Sequence, residues 1–227
     1  MILAIETSCD DTCAAVVTRA GEIRSNVISS QGIHDRFGGV VPEIASRHHL
    51  ERIDDVVADA LRIAGAQLSD LDLVAVTRGP GLVSALLVGM ASAKATAAAL
   101  SLPLAPVDHL HGHVAAGFLD GSSLEPPFLT LIAPAALDPE RLAETLRDDA
   151  GGWLAVGDGA VRFRPVLEAA GVAVAPEGGR PHRVSALEHC RLAAGMKPQN
   201  PELVVPEYLR IPDAELALRA REAAVTT

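Results

Sequence analysis

Ile2-Leu3-Ala4-Ile5-Glu6-Thr7-Ser8-Cys9-Asp10-Asp11-Thr12-Cys13-Ala14-Ala15-Val16-Val17 is the stretch on which the fold turns. Two short apolar runs, Ile2 to Thr7 and Cys13 to Arg19, flank the polar turn Ser8 to Thr12, so the segment reads as a β-hairpin. A third strand is expected from Glu22 to Ser30. Pro42 then opens a segment in which Ile44, His48, Ile53, Val56, Val57, Ala60, Leu61 and Ala64 recur at helical spacing, and Gly65 closes it. Further on, Leu71 to Thr77 reads as a buried strand, Arg78-Gly79-Pro80-Gly81 as a sharp turn, Leu82 to Leu100 as a long Ala-rich buried helix, and Leu104 to Val107 as another strand. The order βββαβαβα, three antiparallel strands followed by alternating helix and parallel strand, is that of a ribonuclease-H-like lobe, the half-unit of actin-like ATPases.

Past His113 the chain reads differently. Gly121 to Pro127 is rich in Gly, Ser and Pro and is taken as the link between lobes, which sets two domains at 1–126 and 127–227. The second domain is expected to hold a strand at Phe128 to Ile132, a helix from Asp138 to Arg147, a strand at Trp153 to Val156, a helix from Ala160 to Ala170, a strand at Val172 to Ala175 and a helix from Ser185 to Ala194.

Composition fits this α/β reading. Among 227 residues 49% are hydrophobic but only 3% aromatic, so the core must be built from Ala, Val, Leu and Ile. The net charge of −10 argues against autonomous binding of a polyanion, which needs clustered Lys and Arg; a nucleic-acid substrate is expected to be held only with partners. Three cysteines, Cys9, Cys13 and Cys190, form no disulfide framework, and no signal or membrane-spanning segment is read. A cytoplasmic location is expected.

Three features can carry chemistry. The hairpin turn gathers the hydroxyls of Thr7, Ser8 and Thr12 with the carboxylates of Asp10 and Asp11, which can cradle a phosphate and orient a hydrated cation; a solvated turn accounts for the same residues. Gly79 and Gly81 lie where a strand meets a helix, a place for an anion at the helix N-terminus or simply a tight corner. His109 and His113 are four apart in His109-Leu110-His111-Gly112-His113, so on a helix both imidazoles leave one face toward a shared metal; such a pair also occurs as surface or capping histidines. His111 is expected to face solvent, and Asp108 can orient an imidazole. His48 and His49 read as polar residues on an exposed helix face. Gly157-Asp158-Gly159 reads as a helix start capped by Asp158 or as a nucleotide contact.

Taken together, Glu6 to Thr12, Phe37-Gly38-Gly39-Val40-Val41-Pro42-Glu43-Ile44-Ala45-Ser46-Arg47, Thr77-Arg78-Gly79-Pro80-Gly81-Leu82 and His109 to His113 resemble the bacterial TsaD family over residues 1–132. The resemblance implies an actin-like (ASKHA) two-lobed α/β fold with a ribonuclease-H-like first lobe and a shortened second one. It implies transfer of a threonylcarbamoyl group from threonylcarbamoyl-AMP to the adenosine beside the anticodon of tRNA. His109 and His113 would then be ligands of one divalent iron or zinc ion, Asp10 and Asp11 the carboxylates near the reacting group, and Thr7, Ser8, Thr12, Gly79 and Gly81 contacts to substrate, with threonylcarbamoyl-AMP or ATP as the nucleotide.

The second half departs from that family. Leu129 to Ile132 runs into Ala133-Pro134-Ala135 where the family has a Ser-Gly-Gly-His-Thr turn, and Gly157 to Ala160 with Pro206 to Glu215 resemble TsaB, the non-catalytic paralogue. The chain thus resembles a fusion or chimera of the two. The partners implied are a TsaD- or TsaB-type paralogue as dimer mate and the ATPase subunit TsaE. The alternative role is a TsaB-like dimerisation scaffold, and a more distant one a sugar-kinase-like ATPase.

Overall fold

The computed structural model describes residues 1–37, 40–116, 139–147, 152–177 and 185–207. Strands β1 (Ile2–Glu6), β2 (Asp11–Val17), β3 (Ile23–Ser30), β4 (Leu73–Gly79) and β5 (Leu104–Asp108) form one sheet in the order β3-β2-β1-β4-β5. The β1–β2 and β2–β3 pairs are antiparallel, while β1–β4 and β4–β5 are parallel. This is the expected arrangement. It follows from chain length: a short turn can only return antiparallel, whereas β4 and β5 are each reached through a helix long enough to carry the chain back.

Parity along β1 decides what lies on each face. Leu3 and Ile5 point to helices α1 (Pro42–Ala64) and α2 (Val83–Ala99), where they meet Ile53, Val56, Ala60, Met90 and Ala93. Ile2 and Ala4 point the other way. There they meet helix α7 (Ala186–Gly195), which follows the second sheet in sequence but packs on the first. The register lines up Ala15, Ala4, Ala75 and Ala105 across four adjacent strands, and Ala186, Cys190 and Ala193 of α7 belong to the same buried cluster. Small side chains on both surfaces let helix and sheet approach closely, which is how a core almost without aromatics reaches close packing.

Between α2 and α7 in sequence lie α3 (His109–Ala116), α4 (Pro139–Arg147), α5 (Asp158–Arg162), α6 (Arg164–Ala169) and a small parallel sheet of β6 (Leu154–Ala155) and β7 (Ala173–Val174). A separate cluster of Ala160, Leu167 and Val172, with Leu142, Leu146 and Trp153 against it, forms the core of α4 to α6 and this sheet, while α3 packs on α7. The single helix expected from Ala160 to Ala170 is two: the chain breaks at Phe163, because Pro165 has no N–H to give and its ring would strike the carbonyl of Val161. The strand expected at Phe128 to Ile132 and the link at Gly121 to Pro127 lie outside the described residues.

Two further expectations are corrected. Helix α2 is not buried all round, for Val83, Leu87 and Ala91 stand exposed one turn apart. His49 does not sit on an exposed face: it is fully buried, because α1 turns that side of itself to β2. Among the described residues no helix is long and apolar enough to cross a membrane.

Candidate functional site

Glu6 ends β1 on the α7-facing side, two residues after Ala4, and Thr77 follows Ala75 on β4 by the same parity. Parallel pairing of Ile5 with Val76 sets the two side by side at the C-terminal ends of their strands, where α/β sheets place ligand-binding groups. Both are buried. The Glu6 carboxylate is closed in by donors: the Ser8 N–H donates to Oε1 and the Thr77 hydroxyl to Oε2, both through short bonds. His109 Nδ1 lies 3.2 Å from Oε2, and His189 Nε2, from α7, lies 3.2 Å from the same oxygen. His189 Nε2 is also 2.8 Å from the Thr77 hydroxyl, and its Nδ1 donates to the Ser185 carbonyl at 3.1 Å.

His109 opens α3, immediately after β5. Asp108 caps that helix, its Oδ1 accepting from the N–H groups of Leu110 at 2.9 Å and His111 at 3.0 Å, so it orients the helix rather than an imidazole directly. The helical spacing brings His109 and His113 together as expected: their Nε2 atoms are 3.2 Å apart, with the rings at 85°. Ser8 Oγ stands 3.0 Å from His109 Nδ1, which ties the pair to the hairpin tip. His111 is exposed.

Electrostatics divides the roles. Burial would raise the Glu6 pKa, but the imidazoles of His109 and His189 outweigh it and hold the carboxyl well below its ordinary value. Burial would lower His109, yet the Glu6 carboxylate prevails and raises it. For His113 burial and the neighbouring His109 act together and push the pKa down to about 4. Glu6 is thus a fixed anion, His109 is polarised by it, and His113 is a neutral imidazole with a lone pair.

The remaining residues singled out from sequence divide by direction. The Thr7 hydroxyl donates to the Ala85 carbonyl of α2 at 2.8 Å, against Gly89, and faces the helix layer. Thr12 Oγ1 is 2.8 Å from Nδ1 of His49, whose Nε2 donates to the Cys9 carbonyl at 3.1 Å. Gly81 packs on Ser8, where a Cβ would come within 2.7 Å of the Ser8 carbonyl oxygen, and the Leu82 N–H donates to that oxygen at 2.8 Å. Gly79, at φ 151°, lies against the Glu207 carbonyl, and Arg78 pairs with the Glu207 carboxylate. Both glycines therefore serve close approach of the chain to itself. Asp10 and Asp11 stand at the hairpin tip, half-buried. Gly157, not Asp158, takes the N-cap position of α5, and His113 Cε1 lies 3.9 Å from where a Cβ on it would sit.

Glu6, Thr77 and His189 were given no role by sequence reasoning. A charged residue ending an apolar strand run was the available signal for Glu6. Nothing local marks His189.

The model of the TsaD family, tRNA N6-adenosine threonylcarbamoyltransferase, matches residues 22–136. A Clostridium perfringens protein of that name is 56% identical over 133 residues, 58% of this chain and 39% of the relative. Its Moorella thermoacetica counterpart is 52% identical over 161 residues, 66% of this chain and 47% of the relative. The chain thus spans less than half the length of these curated relatives. Two Pseudomonas aeruginosa structures, YeaZ and a protein described as similar to peptidase YeaZ, superpose with a TM-score of 0.64 over 92% of this chain and 99% of theirs, at 23% and 21% identity. That likeness shows the fold, the actin-like α/β arrangement expected from the strand order. With a family model covering half of its residues and relatives above 50% identity through the same region, the chain belongs to the TsaD family.

Proposed function

We propose that the chain acts in threonylcarbamoyladenosine biosynthesis, in transfer of the threonylcarbamoyl group from threonylcarbamoyl-AMP to the adenosine amine beside the tRNA anticodon. It does so in a cytoplasmic complex with a TsaD- or TsaB-type paralogue and TsaE. The observation that carries this reading is the 3.2 Å between the Nε2 atoms of His109 and His113, beside a hairpin that offers Ser8, Asp10 and Asp11.

That spacing suits a divalent ion. Two nitrogens each about 2.05 Å from a tetrahedral ion stand about 3.3 Å apart. The neutral His113 has a lone pair to give, and His109, donating from Nδ1 to Glu6, turns its Nε2 lone pair the same way, the carboxylate–histidine pattern of metal sites. His109 and His113 would hold iron or zinc, which when bound supplies Lewis-acid polarisation of the carbamoyl carbonyl and a grip on the adenylate phosphate. Among the described residues no group of three His, Cys, Asp or Glu forms a metal cluster, so the pair supplies two ligands.

The other steps fall to the chain's own groups. Ser8 Oγ and the backbone of the hairpin tip position the acyl phosphate. The adenosine amine attacks the carbamoyl carbon, the bond from that carbon to the phosphate oxygen breaks, AMP leaves, and an Asp10 or Asp11 carboxylate oxygen takes the amine proton. Glu6 is no base, since its oxygens are committed to four donors and its pKa is held down. Incubation with threonylcarbamoyl-AMP and unmodified tRNA, with and without paralogue and TsaE, tests the proposal: modified nucleoside is expected with partners present, and none under any condition overturns it.

A second reading, a TsaB-like scaffold that pairs with a paralogue and performs no chemistry, is favoured by the exposed apolar line on α2. Val83 (42% exposed) and Leu87 (52%) stand there with Ala91, and Leu50 of α1 is 69% exposed. Sedimentation of the chain with a paralogue should show a dimer; monomers alone would remove this reading.

A further inference from the structure

We propose that His189 is a positioning residue of the site: acting through the Glu6 carboxylate, it holds His109 in the tautomer and orientation that turn its Nε2 toward His113. The inference deepens the function proposed above and rests on it only for the identity of the ion. His189 lies on α7, outside the residues matched by the family model. It therefore assigns to the second half of the chain a part in a site whose other members come from the first.

His189 is fully buried, and both ring nitrogens are committed. Nδ1 donates to the Ser185 carbonyl at 3.1 Å, one turn back on α7, which fixes the ring against its own helix. Nε2 reaches across the sheet surface to Thr77 Oγ1 at 2.8 Å and Glu6 Oε2 at 3.2 Å. The oxygen it meets is the one that meets His109 Nδ1. The Ser8 N–H holds Oε1, while the Thr77 hydroxyl and His189 Nε2 together hold Oε2. With Oε2 fixed between Thr77 and His189, the carboxylate presents an anion to His109 Nδ1 and favours the tautomer with hydrogen there. The Nε2 lone pair then faces His113. A bond of this kind beyond the ligand is what sets the ring orientation of metal-binding histidines.

The alternative, that His189 merely fastens α7, is separable because its two bonds can be removed singly. An asparagine amide superposes on Nδ1 and keeps the Ser185 bond but falls short of Glu6; a glutamine amide superposes on Nε2 and keeps the Glu6 bond. The full chain carrying His189→Asn or His189→Gln would be labelled with 15N histidine and the His109 ring shifts compared, metal-free, with wild type. Cooperative melting of each variant confirms folding. His109 in wild type and His189→Gln should show the Nδ1–H form, while His189→Asn should show a mixture. Cobalt(II) absorption titrations should then give about tenfold weaker binding for His189→Asn and near wild-type binding for His189→Gln. Identical His109 spectra in all three proteins would overturn the proposal. Wild-type protein that takes up no cobalt would instead overturn the metal reading of the pair, and the tautomer comparison would still decide the role of His189.

Discussion

The hairpin at residues 6–12 is gripped by histidines on both faces of the sheet, and the two grips differ in what they hold. On the α1 side His49 touches only neutral oxygens, those of Thr12 and the Cys9 carbonyl. On the α7 side His109 and His189 share the Glu6 carboxylate. Burial lowers the pKa of His49, whereas Glu6 overcomes burial and raises that of His109. The same side chain is thus a fully buried structural peg on one face and a half-buried, polarised site group on the other. A single anion makes the difference.

The largest expected effect comes from removing that anion. Glu6→Leu leaves two imidazoles and the Thr77 hydroxyl without their acceptor, and breaking one partner out of a buried charged set costs about 3–5 kcal/mol. Urea unfolding should show it. Glu6→Gln, which keeps the shape, should cost less and should abolish the upward shift at His109. An unchanged His109 pKa in that variant, read by NMR, would break the comparison.

A smaller effect is expected at Gly89, where any Cβ meets the Thr7 hydroxyl. Gly89→Ala should cost about 1–3 kcal/mol by overpacking, and much of the loss should return in Gly89→Ala with Thr7→Ala, because the pair is one contact. Thermal melts of the single and double variants give the coupling.

Stability should also depend on pH with opposite sign on the two faces. His49 has a folded pKa below its unfolded value of about 6.5, so the unfolded chain binds the extra proton and the stability it contributes is present above pH 6.5 and lost as pH falls below it. The slope is at most about 1.4 kcal/mol per pH unit. His109 behaves in reverse: its folded pKa is raised, so its contribution is full below pH 6.5 and is lost as pH rises through the folded value. Subtracting the pH profile of His49→Gln from wild type should leave a term that weakens only on the acid side. Thr12→Val should have the smallest effect, about 1 kcal/mol for one hydrogen bond, with no change at His109; a change there would mean that the two grips communicate through the hairpin.

Much of this molecule is legible in one dimension. The alternation in Ile2 to Val17, the Pro42 start and Gly65 stop of α1, and the four-residue step from His109 to His113 each report a local period, and each element formed where its period lay. The break at Phe163 is legible too, in Pro165, although the spacing from Ala160 to Ala170 reads as one helix. His49 reads as exposed because its helix is polar on either side of it, in Arg47 and Glu51, and helical spacing alone does not say which side meets the sheet. Adjacency groups Thr7 and Thr12 with Ser8, whereas strand parity and helix contact turn them to the layer of α1 and α2.

The sequence by itself determined the sheet's lobe and the histidine pair, because backbone periodicity and turn chemistry act over a few residues. Only the tertiary structure decided that Glu6, Thr77 and His189 meet, since they lie 71 and 112 residues apart along the chain. Parallel pairing of β1 with β4 brings the first two together, and the return of α7 over the alanine row brings the third. Such contacts depend on which surfaces fit closely enough to exclude water, a property of the packed whole that no window of sequence contains.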